Sequence, residues 1–479
     1  MFGKNPTFTI PNFCKMKNIF LFCAFLYSIF AFSQTQPFPA NTTYANGLMA
    51  SSKNSQDVID SYTIWKINFV EQCNNNQYRV KFDDASKTVS EGIGYGMLLS
   101  AYMGDRTLFD GLWLYYKDNV NGNGVMNWKI NGCSGINGAN GATDAELDAA
   151  FALIVADYQW ESTGNINYKN DAKTLITAIK TYEIEANTYV LKPGDAFGGS
   201  NLTNPSYFAP AYYRAFGNFT NDSTFWNSVV AKAYAVINAN LTKNNAVGGL
   251  VSDWCAASGD YSSDANGYAN QGKAYTYDAA RTPWRIAIDY LWNGTEEAKM
   301  YIKKSSDFVR VNLGGSANIK DGYNQDGSIK GQWHNATFVG AFACAAMGGD
   351  NQAHLDVSYV DLKNLNEPNS YFNHTLKTLY SLALTGNFYL PPTVTLANPD
   401  FDKDSDAVLV YPNPSKDVFT ILTPDEAVVS VISLQGQVIS EQKATSENTV
   451  LNLSNKASGV YFIKITSENK TVVRKVILE

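Results

Sequence analysis

Residues 142–160 read Ala-Thr-Asp-Ala-Glu-Leu-Asp-Ala-Ala-Phe-Ala-Leu-Ile-Val-Ala-Asp-Tyr-Gln-Trp. From Asp144 onward the apolar residues recur at helical spacing. Thr143 stands where a helix N-cap is expected, and Glu146 three residues on completes a capping-box spacing. The same texture continues on both sides: Tyr95 to Tyr116, Asp171 to Ala186, Trp226 to Asn240, Pro283 to Trp292, Ala298 to Val311, Ala336 to Met347 and Tyr371 to Leu384. Gly/Asn/Asp-rich loops separate these segments, and period-2 alternation is largely missing. The pattern predicts ten or more helices and a large all-α domain over residues 34–390. Pro391-Pro392 ends it, and the polar, acidic stretch around Asn398 to Asp406 reads as a linker, taken here as residues 391–405.

From 406 to 479 the period changes. Val408-Leu-Val-Tyr, Val418-Phe-Thr-Ile-Leu, Ala427-Val-Val-Ser-Val-Ile, Gln437-Val-Ile, Thr449-Val-Leu-Asn-Leu, Gly459-Val-Tyr-Phe-Ile-Lys-Ile and Thr471-Val-Val-Arg-Lys-Val-Ile-Leu are short and β-branched. Turn clusters such as Asn413-Pro414-Ser415 and Leu434-Gln-Gly436 divide them. Seven such runs predict a small all-β sandwich of the immunoglobulin-like kind.

The other end predicts the compartment. Lys15-Met16-Lys17 precedes an apolar run from Ile19 to Phe32, followed by Ser33-Gln34. A short cationic start, a run too short to span a bilayer and a small-residue exit read as a secretory signal peptide within residues 1–33, with Met16 as the start. The other reading is a membrane anchor. Cys23 lies inside the apolar run, so no lipoprotein cleavage site is apparent, and no later stretch suggests a membrane span. Cys73, Cys133, Cys255 and Cys344 remain for an exported chain, where disulfides are permitted, but the sequence does not pair them. The chain of 479 residues carries 37 Lys+Arg against 44 Asp+Glu, and 34 against 44 without the first 33 residues. A mildly acidic body without a basic run excludes nucleic acid as a natural partner. Its 9 Trp and 29 Tyr suit flat-faced ligands such as carbohydrate as well as core packing.

Three acidic segments carry the chemistry. In Ser90-Glu91-Gly92-Ile93-Gly94-Tyr95-Gly96, Glu91 stands at a helix start among glycines that let a ligand approach the backbone. Helix-dipole decoration is the alternative for it. In the opening stretch, Asp144 and Asp148 share one face at i,i+4, where like charges repel unless something bridges them; a solvated acidic face is the alternative. In Tyr275-Thr-Tyr277-Asp278-Ala-Ala-Arg281-Thr282-Pro283-Trp284-Arg285, Thr282 as N-cap and Pro283 at the first turn mark a helix start. That leaves Asp278 in the preceding loop with Arg281 near enough to hold it ionised; a plain surface ion pair is the alternative.

Other schemes are poorly supplied. The three histidines, His334, His354 and His374, form no metal-ligand spacing, and no Cys pair does, so no metal or cofactor is expected. Gly-x-Ser-x-Gly and a phosphate loop are absent. Asn324-Gln-Asp326-Gly327 is a fragment of a calcium loop that reads equally as a turn. Carboxylate-pair chemistry is what remains.

The three segments in this order, with Asn204-Pro-Ser-Tyr207-Phe-Ala-Pro, Gly249-Leu-Val-Ser-Asp253-Trp254 and Asn335-Ala-Thr, resemble glycoside hydrolase family 8. The resemblance implies an (α/α)6 barrel and an inverting endo-β-1,4-glucanase acting on cellulose or mixed-linkage β-glucan. It implies Glu91 as general acid, Asp278 as general base and Asp144 as the residue that orients the sugar. Tyr95, Trp128, Tyr207, Trp254, Tyr277 and Trp284 are candidate substrate-binding residues, and Arg281 is the leading polar one. A helix N-terminus lowers a carboxyl pKa, whereas an acid needs it raised, so burial and Asp144 must outweigh the dipole at Glu91. Xylan is the alternative substrate, and a non-catalytic glycan-binding protein or a polysaccharide lyase the alternative class. Tyr411-Pro-Asn-Pro, Ser433-Leu-Gln-Gly-Gln-Val, Ala457-Ser-Gly-Val-Tyr-Phe-Ile-Lys-Ile and Arg474-Lys-Val-Ile-Leu resemble the C-terminal sorting domain of type IX secretion substrates. That implies the type IX machinery as a partner, and a secreted or cell-surface protein exported through the periplasm.

Overall fold

A computed structural model describes residues 3, 38–74, 76–261, 272–392, 409–422, 427–433, 437–444, 448–467 and 470–479. The expected signal peptide, Cys14 and Cys23, the acidic linker and the Leu434 to Gly436 turn lie outside the described residues. The chain divides into two compact units, Met1–Thr395 and Leu396–Glu479.

Twelve α-helices are described in the first unit: α1 (Ser55–Phe69), α2 (Ser90–Tyr102), α3 (Arg106–Asp118), α4 (Thr143–Trp160), α5 (Tyr168–Ala178), α6 (Pro210–Thr220), α7 (Ser223–Lys243), α8 (Thr282–Asn293), α9 (Glu296–Asp307), α10 (Ala336–Ala346), α11 (Gln352–Asn364) and α12 (Tyr371–Leu384). The even-numbered helices form a closed ring of contacts, α2 on α4, α4 on α6, α6 on α8, α8 on α10, α10 on α12 and α12 back on α2. Each odd-numbered helix packs outside one or two of them. Composition explains the division. A helix apolar around its whole circumference must be buried, whereas one with an apolar stripe can face water. Every residue of α10 and all of α2 except Glu91 are buried. Outer α9 buries only Ala298, Tyr301, Ile302, Ser305 and Ser306, a stripe at i, i+3, i+4 and i+7. Glycine permits the tightest approach in the ring. A Cβ on Gly94 of α2 would stand 2.8 Å from the Ala145 carbonyl oxygen of α4.

The expected Tyr95 to Tyr116 helix is two helices. Gly104 adopts a left-handed φ of 71°, and the Asp105 side chain then caps α3 by accepting from the Leu108 amide at 3.3 Å. Helices α5 and α9 each end in a π-turn, Ile179–Glu183 and Phe308–Asn312. Five short strands also interrupt the helical unit: β1 (Val70–Asn74), β2 (Gln77–Val80), β3 (Lys87–Val89), β4 (Lys129–Asn131) and β5 (Ile136–Gly138). They form a β1–β2 hairpin and a β3–β4–β5 sheet. Three-residue strands are too short for a period-2 pattern to register.

The second unit holds β6 (Leu409–Tyr411), β7 (Val418–Leu422), β8 (Val428–Ile432), β9 (Val438–Lys443), β10 (Asn448–Asn452), β11 (Gly459–Ser467) and β12 (Lys470–Leu478). They pair antiparallel in two sheets, β10–β7–β6 and β12–β11–β8–β9. Phe419 and Ile421 from the first sheet share one apolar cluster with Val429, Val431, Ile463, Ile465 and Val476 from the second. The alternation along β11, with Ile463 and Ile465 buried and Lys464 exposed, points one face of the sheet into that cluster.

Cys73 on β1 is disulfide-bonded to Cys133, between β4 and β5, while Cys255 and Cys344 are buried free thiols. The bond ties the hairpin to the sheet whose strand β3 leads directly into α2. It closes a sequence separation of 60 residues. In the loop-closure account it contributes on the order of 4 kcal/mol. Cys73→Ser is therefore expected to lower the unfolding free energy by roughly 2–4 kcal/mol in a denaturant titration. A change below about 0.5 kcal/mol, the range of a surface substitution, would overturn that assignment.

Candidate active site

The inner helices α2, α4, α8 and α12 bring their N-terminal ends to one place. Glu91 lies in the first turn of α2, Asp144 in the first turn of α4 and Tyr371 at the start of α12. Asp278 precedes a 3-10 turn, Ala279–Arg281, whose last residue is Arg281 and which runs straight into α8. Arg281 joins them. Its guanidinium is buried, and Nη1 donates to Glu91 Oε2 at 2.7 Å, to Asp144 Oδ2 at 2.7 Å and to the Tyr95 hydroxyl at 3.1 Å. Nη2 donates to Ser206 Oγ at 3.1 Å and lies 3.4 Å from Asp278 Oδ1. The Tyr207 ring stacks on the guanidinium at 5.3 Å, where its face favours the cation. Burial works against the charge of Arg281, but Tyr95, Asp144 and Glu91 outweigh it and raise its pKa further.

One turn along both helices the arrangement repeats. Arg285 of α8 grips Asp148 of α4 through two bonds of 2.5 and 2.6 Å, and both side chains are buried. Asp144–Arg281 and Asp148–Arg285 have the same sequence offset of 137, a two-rung ladder across the inside of the ring. The i,i+4 repulsion between Asp144 and Asp148 is therefore offset by two arginines at the same spacing, with no ligand required, and the solvated acidic face is excluded. Removing one partner of such a buried pair leaves an uncompensated charge, at a cost of about 3–5 kcal/mol.

Glu91 Oε1 accepts from the Tyr371 hydroxyl at 3.0 Å. Gly92 makes room for that contact, since a Cβ there would stand 2.9 Å from the Tyr371 oxygen. Burial raises the pKa of Glu91 to about 7, against Arg281, with Asp144 and Asp278 adding to the rise. Asp144 is raised by burial as well, again against Arg281. Three carboxyls around one cation hold a surplus of negative charge, and one proton relieves it. At Glu91 burial thus outweighs both Arg281 and the Tyr371 hydrogen bond, which act to lower the pKa. Asp278 is partly open, and its Oδ2 accepts from Trp254 Nε1 at 3.0 Å. Asp253 holds the loop behind it, accepting from the Thr276 amide at 2.9 Å, the Ala279 amide at 2.8 Å and the Thr276 hydroxyl.

The structure corrects several expectations. Thr143 and Thr282 are the first residues of α4 and α8 and not their N-caps; Ala142 and Arg281 occupy those positions without side-chain caps. Glu146 closes no capping box. It is buried and accepts from the Tyr116 hydroxyl at 3.1 Å and the Met126 amide at 3.2 Å. Trp284 has no exposed face and packs edge-on against Tyr380 and Phe388, so it is core. Tyr95 is fully buried beneath Arg281, and Arg281 turns its Nη donors to carboxylates and hydroxyls instead of facing solvent. Tyr207 and Trp254 are nearly buried and meet edge to face, one against Arg281 and the other on Asp278. Trp128 and Tyr277 keep open faces at 42% and 40% exposure. Trp128 lies on the acid side, its carbonyl accepting from the Ser90 amide at 2.9 Å, and Tyr277 adjoins Asp278. Tyr371, Ser206 and Asp253 escape sequence reasoning as site residues. Ser206 and Asp253 left a trace, standing in the Asn-Pro-Ser-Tyr and Ser-Asp-Trp motifs, and Tyr371 left none. Among the described residues no group of acids, His and Cys is placed to hold a metal ion.

Residues 36–386 match the model of glycosyl hydrolases family 8, and residues 409–479 match that of the secretion system C-terminal sorting domain. Endoglucanase 2 of Ruminiclostridium josui is 41% identical over 365 residues, covering 74% of this chain and 77% of that protein. Endoglucanase A of Acetivibrio thermocellus is 39% identical over 367 residues, covering 74% and 75%. The apo structure of a beta-1,3-1,4-glucanase from Paenibacillus sp. X4 superposes with a TM-score of 0.70 at 31% identity, covering 74% of this chain and 100% of that one. A cold-adapted family 8 xylanase shares the fold at a TM-score of 0.63 and 23% identity, covering 73% of this chain and 98% of that one. With the helical ring, the carboxyl cluster and these matches together, the chain belongs to glycosyl hydrolase family 8.

Proposed function

We propose that the protein is an exported endo-β-1,4-glucanase that hydrolyses cellulose or mixed-linkage β-glucan with inversion, Glu91 acting as acid and Asp278 as base. The observation that carries the reading is one buried arginine holding two carboxyls of different character. Glu91 is enclosed and pushed up to about 7, whereas Asp278 is partly open and held by Trp254. An inverting pair needs its carboxyls roughly 6.5–9.5 Å apart to seat a water, and Glu91 and Asp278 stand on the two different Nη atoms of one guanidinium. In the step, Glu91 gives its proton to the leaving glycosidic oxygen while Asp278 takes one from the attacking water. The C–O bond breaks as the new one forms on the opposite face, and Asp144 orients the sugar ring between them. The endoglucanases among the relatives and the 31% identical beta-1,3-1,4-glucanase structure support glucan as the substrate. The ring of six inner and six outer helices among the described residues supports an (α/α)6 barrel reading.

The matched tail supports export to the cell surface or outside by the type IX route, with residues 406–479 as an immunoglobulin-like address and residues 391–405 as the linker. A chain ending near residue 400 is expected to keep its specific activity on soluble glucan while accumulating in the periplasm of its host. Loss of activity, or export without the tail, would overturn this.

Glu91→Gln and Asp278→Asn are each expected to lower kcat on barley glucan by roughly 10²–10⁴-fold or more with the fold intact by circular dichroism. Proton NMR of the earliest product should show the α-anomer. Near-normal turnover in either variant, or the β-anomer first, would refute the assignment.

The acid must carry its proton, so the raised pKa of Glu91 extends activity upward in pH. The kcat/KM of the free enzyme is expected to fall about tenfold per pH unit above roughly 7. An alkaline limb near 4.5, the ordinary value for a glutamic acid, would show that burial does not control Glu91.

A further inference from the structure

Trp333 is 70% exposed, the most open aromatic ring among the described large hydrophobics of the helical unit. Its ring has no aromatic or cationic neighbour among the described residues. Its backbone, by contrast, is tightly held. Oδ1 of Asp321 accepts from the amides of Gln332 and Trp333, both at 2.7 Å. Oδ2 of the same carboxylate accepts from the Tyr277 hydroxyl at 2.9 Å, and Asn335 Nδ2 donates to that hydroxyl at 3.0 Å. His334 pins the loop from its other side. Its Nδ1 faces the Ile319 carbonyl at 2.9 Å and its Nε2 faces Asp361 Oδ1 at 3.0 Å. Both partners are acceptors, which favours the doubly protonated ring. Pairing with Asp361 favours that state over the opposing effect of burial.

The Asp321 carboxylate therefore mounts two open aromatic side chains together. Tyr277 adjoins the base Asp278, and the Trp333 amide stands no more than about 8 Å from the Tyr277 hydroxyl, two hydrogen bonds and one carboxylate away. A ring on a floppy loop would lose backbone as well as side-chain entropy on binding, whereas on a backbone already fixed only the side-chain part remains. Exposing a tryptophan rigidly to water has no folding benefit, whereas a flat pyranose face matches it in size and polarity.

We propose that Trp333 is a sugar-stacking platform of an outer substrate-binding subsite, continuing the cleft beyond Tyr277 on the Asp278 side and gripping the distal units of a long β-glucan chain. This rests on the glucanase reading above and adds a subsite to it. The role is binding of chain length, with no part in the bond cleaved.

The test compares wild type, Trp333→Ala and Trp333→Phe in the full chain on cello-oligosaccharides of increasing length and on barley glucan. One stacking contact is of the order of a tenfold change. Trp333→Ala is expected to lose about tenfold in kcat/KM on the longest oligosaccharide and the polymer, and less than twofold on the shortest one cleaved. Trp333→Phe should recover most of the loss. The thermal midpoint should stay within about a degree, because the side chain is 70% exposed. Equal loss at every length, no loss at any length, or a lowered thermal midpoint in Trp333→Ala would overturn the proposal. Should wild type prefer xylan, the glucan reading falls while the platform is judged by the same length series on xylo-oligosaccharides. Should wild type cleave neither, hexasaccharide is titrated into Glu91→Gln with and without Trp333→Ala. Affinity unchanged by the second substitution would then overturn the platform independently.

Discussion

A single buried guanidinium organises this protein's site. Arg281 reaches Glu91 of α2, Asp144 of α4, Ser206 ahead of α6 and Asp278 in the loop before α8. A buried arginine without partners would be prohibitively costly, and so would three clustered carboxylates without a cation. Each makes the other tolerable. The planar fork of arginine serves several acceptors at fixed angles, so a lysine here would keep the charge and lose the geometry. One cation against three acids leaves an excess of negative charge, and the proton that relieves it is the one an acid catalyst needs.

The ring of inner helices makes that cluster possible. Helices α2 and α4 approach closely enough that Gly94 cannot carry a side chain without meeting the α4 backbone. Close packing places the first turns of both helices side by side, so Glu91 and Asp144 share one cation. The lower rung, Asp148 with Arg285, holds the same register one turn deeper, where neither side chain reaches water. A shift of either helix by one residue would break both rungs together.

Around this rigid centre the aromatic residues divide by exposure. Trp254 and Tyr207 support the charged groups, Trp284 fills the core, and Trp128, Tyr277 and Trp333 keep open faces. Tryptophan at a helix start or in a loop has the same local sequence character in each case. What separates the roles is which face the rest of the fold covers.

Much was legible in the chain because it is local. Helical periodicity recurs within three or four residues, so α4, α8, α10 and α12 could be read directly, and strand alternation marked the tail. The acidic motifs could be placed at helix starts for the same reason. Helices α1, α6 and α11 passed unnoticed, and so did the three-residue strands, because their patterns are brief or mixed. The tertiary structure alone decided that Arg281 joins Glu91 and Asp144, that Tyr371 meets Glu91 from 280 residues away, and that Cys73 bonds to Cys133. It alone decided that Trp284 is core while Trp333 stands open beside Tyr277. Backbone periodicity is set by neighbours a few bonds away. Burial, ion pairing and pKa are set by groups that meet only when the ring closes.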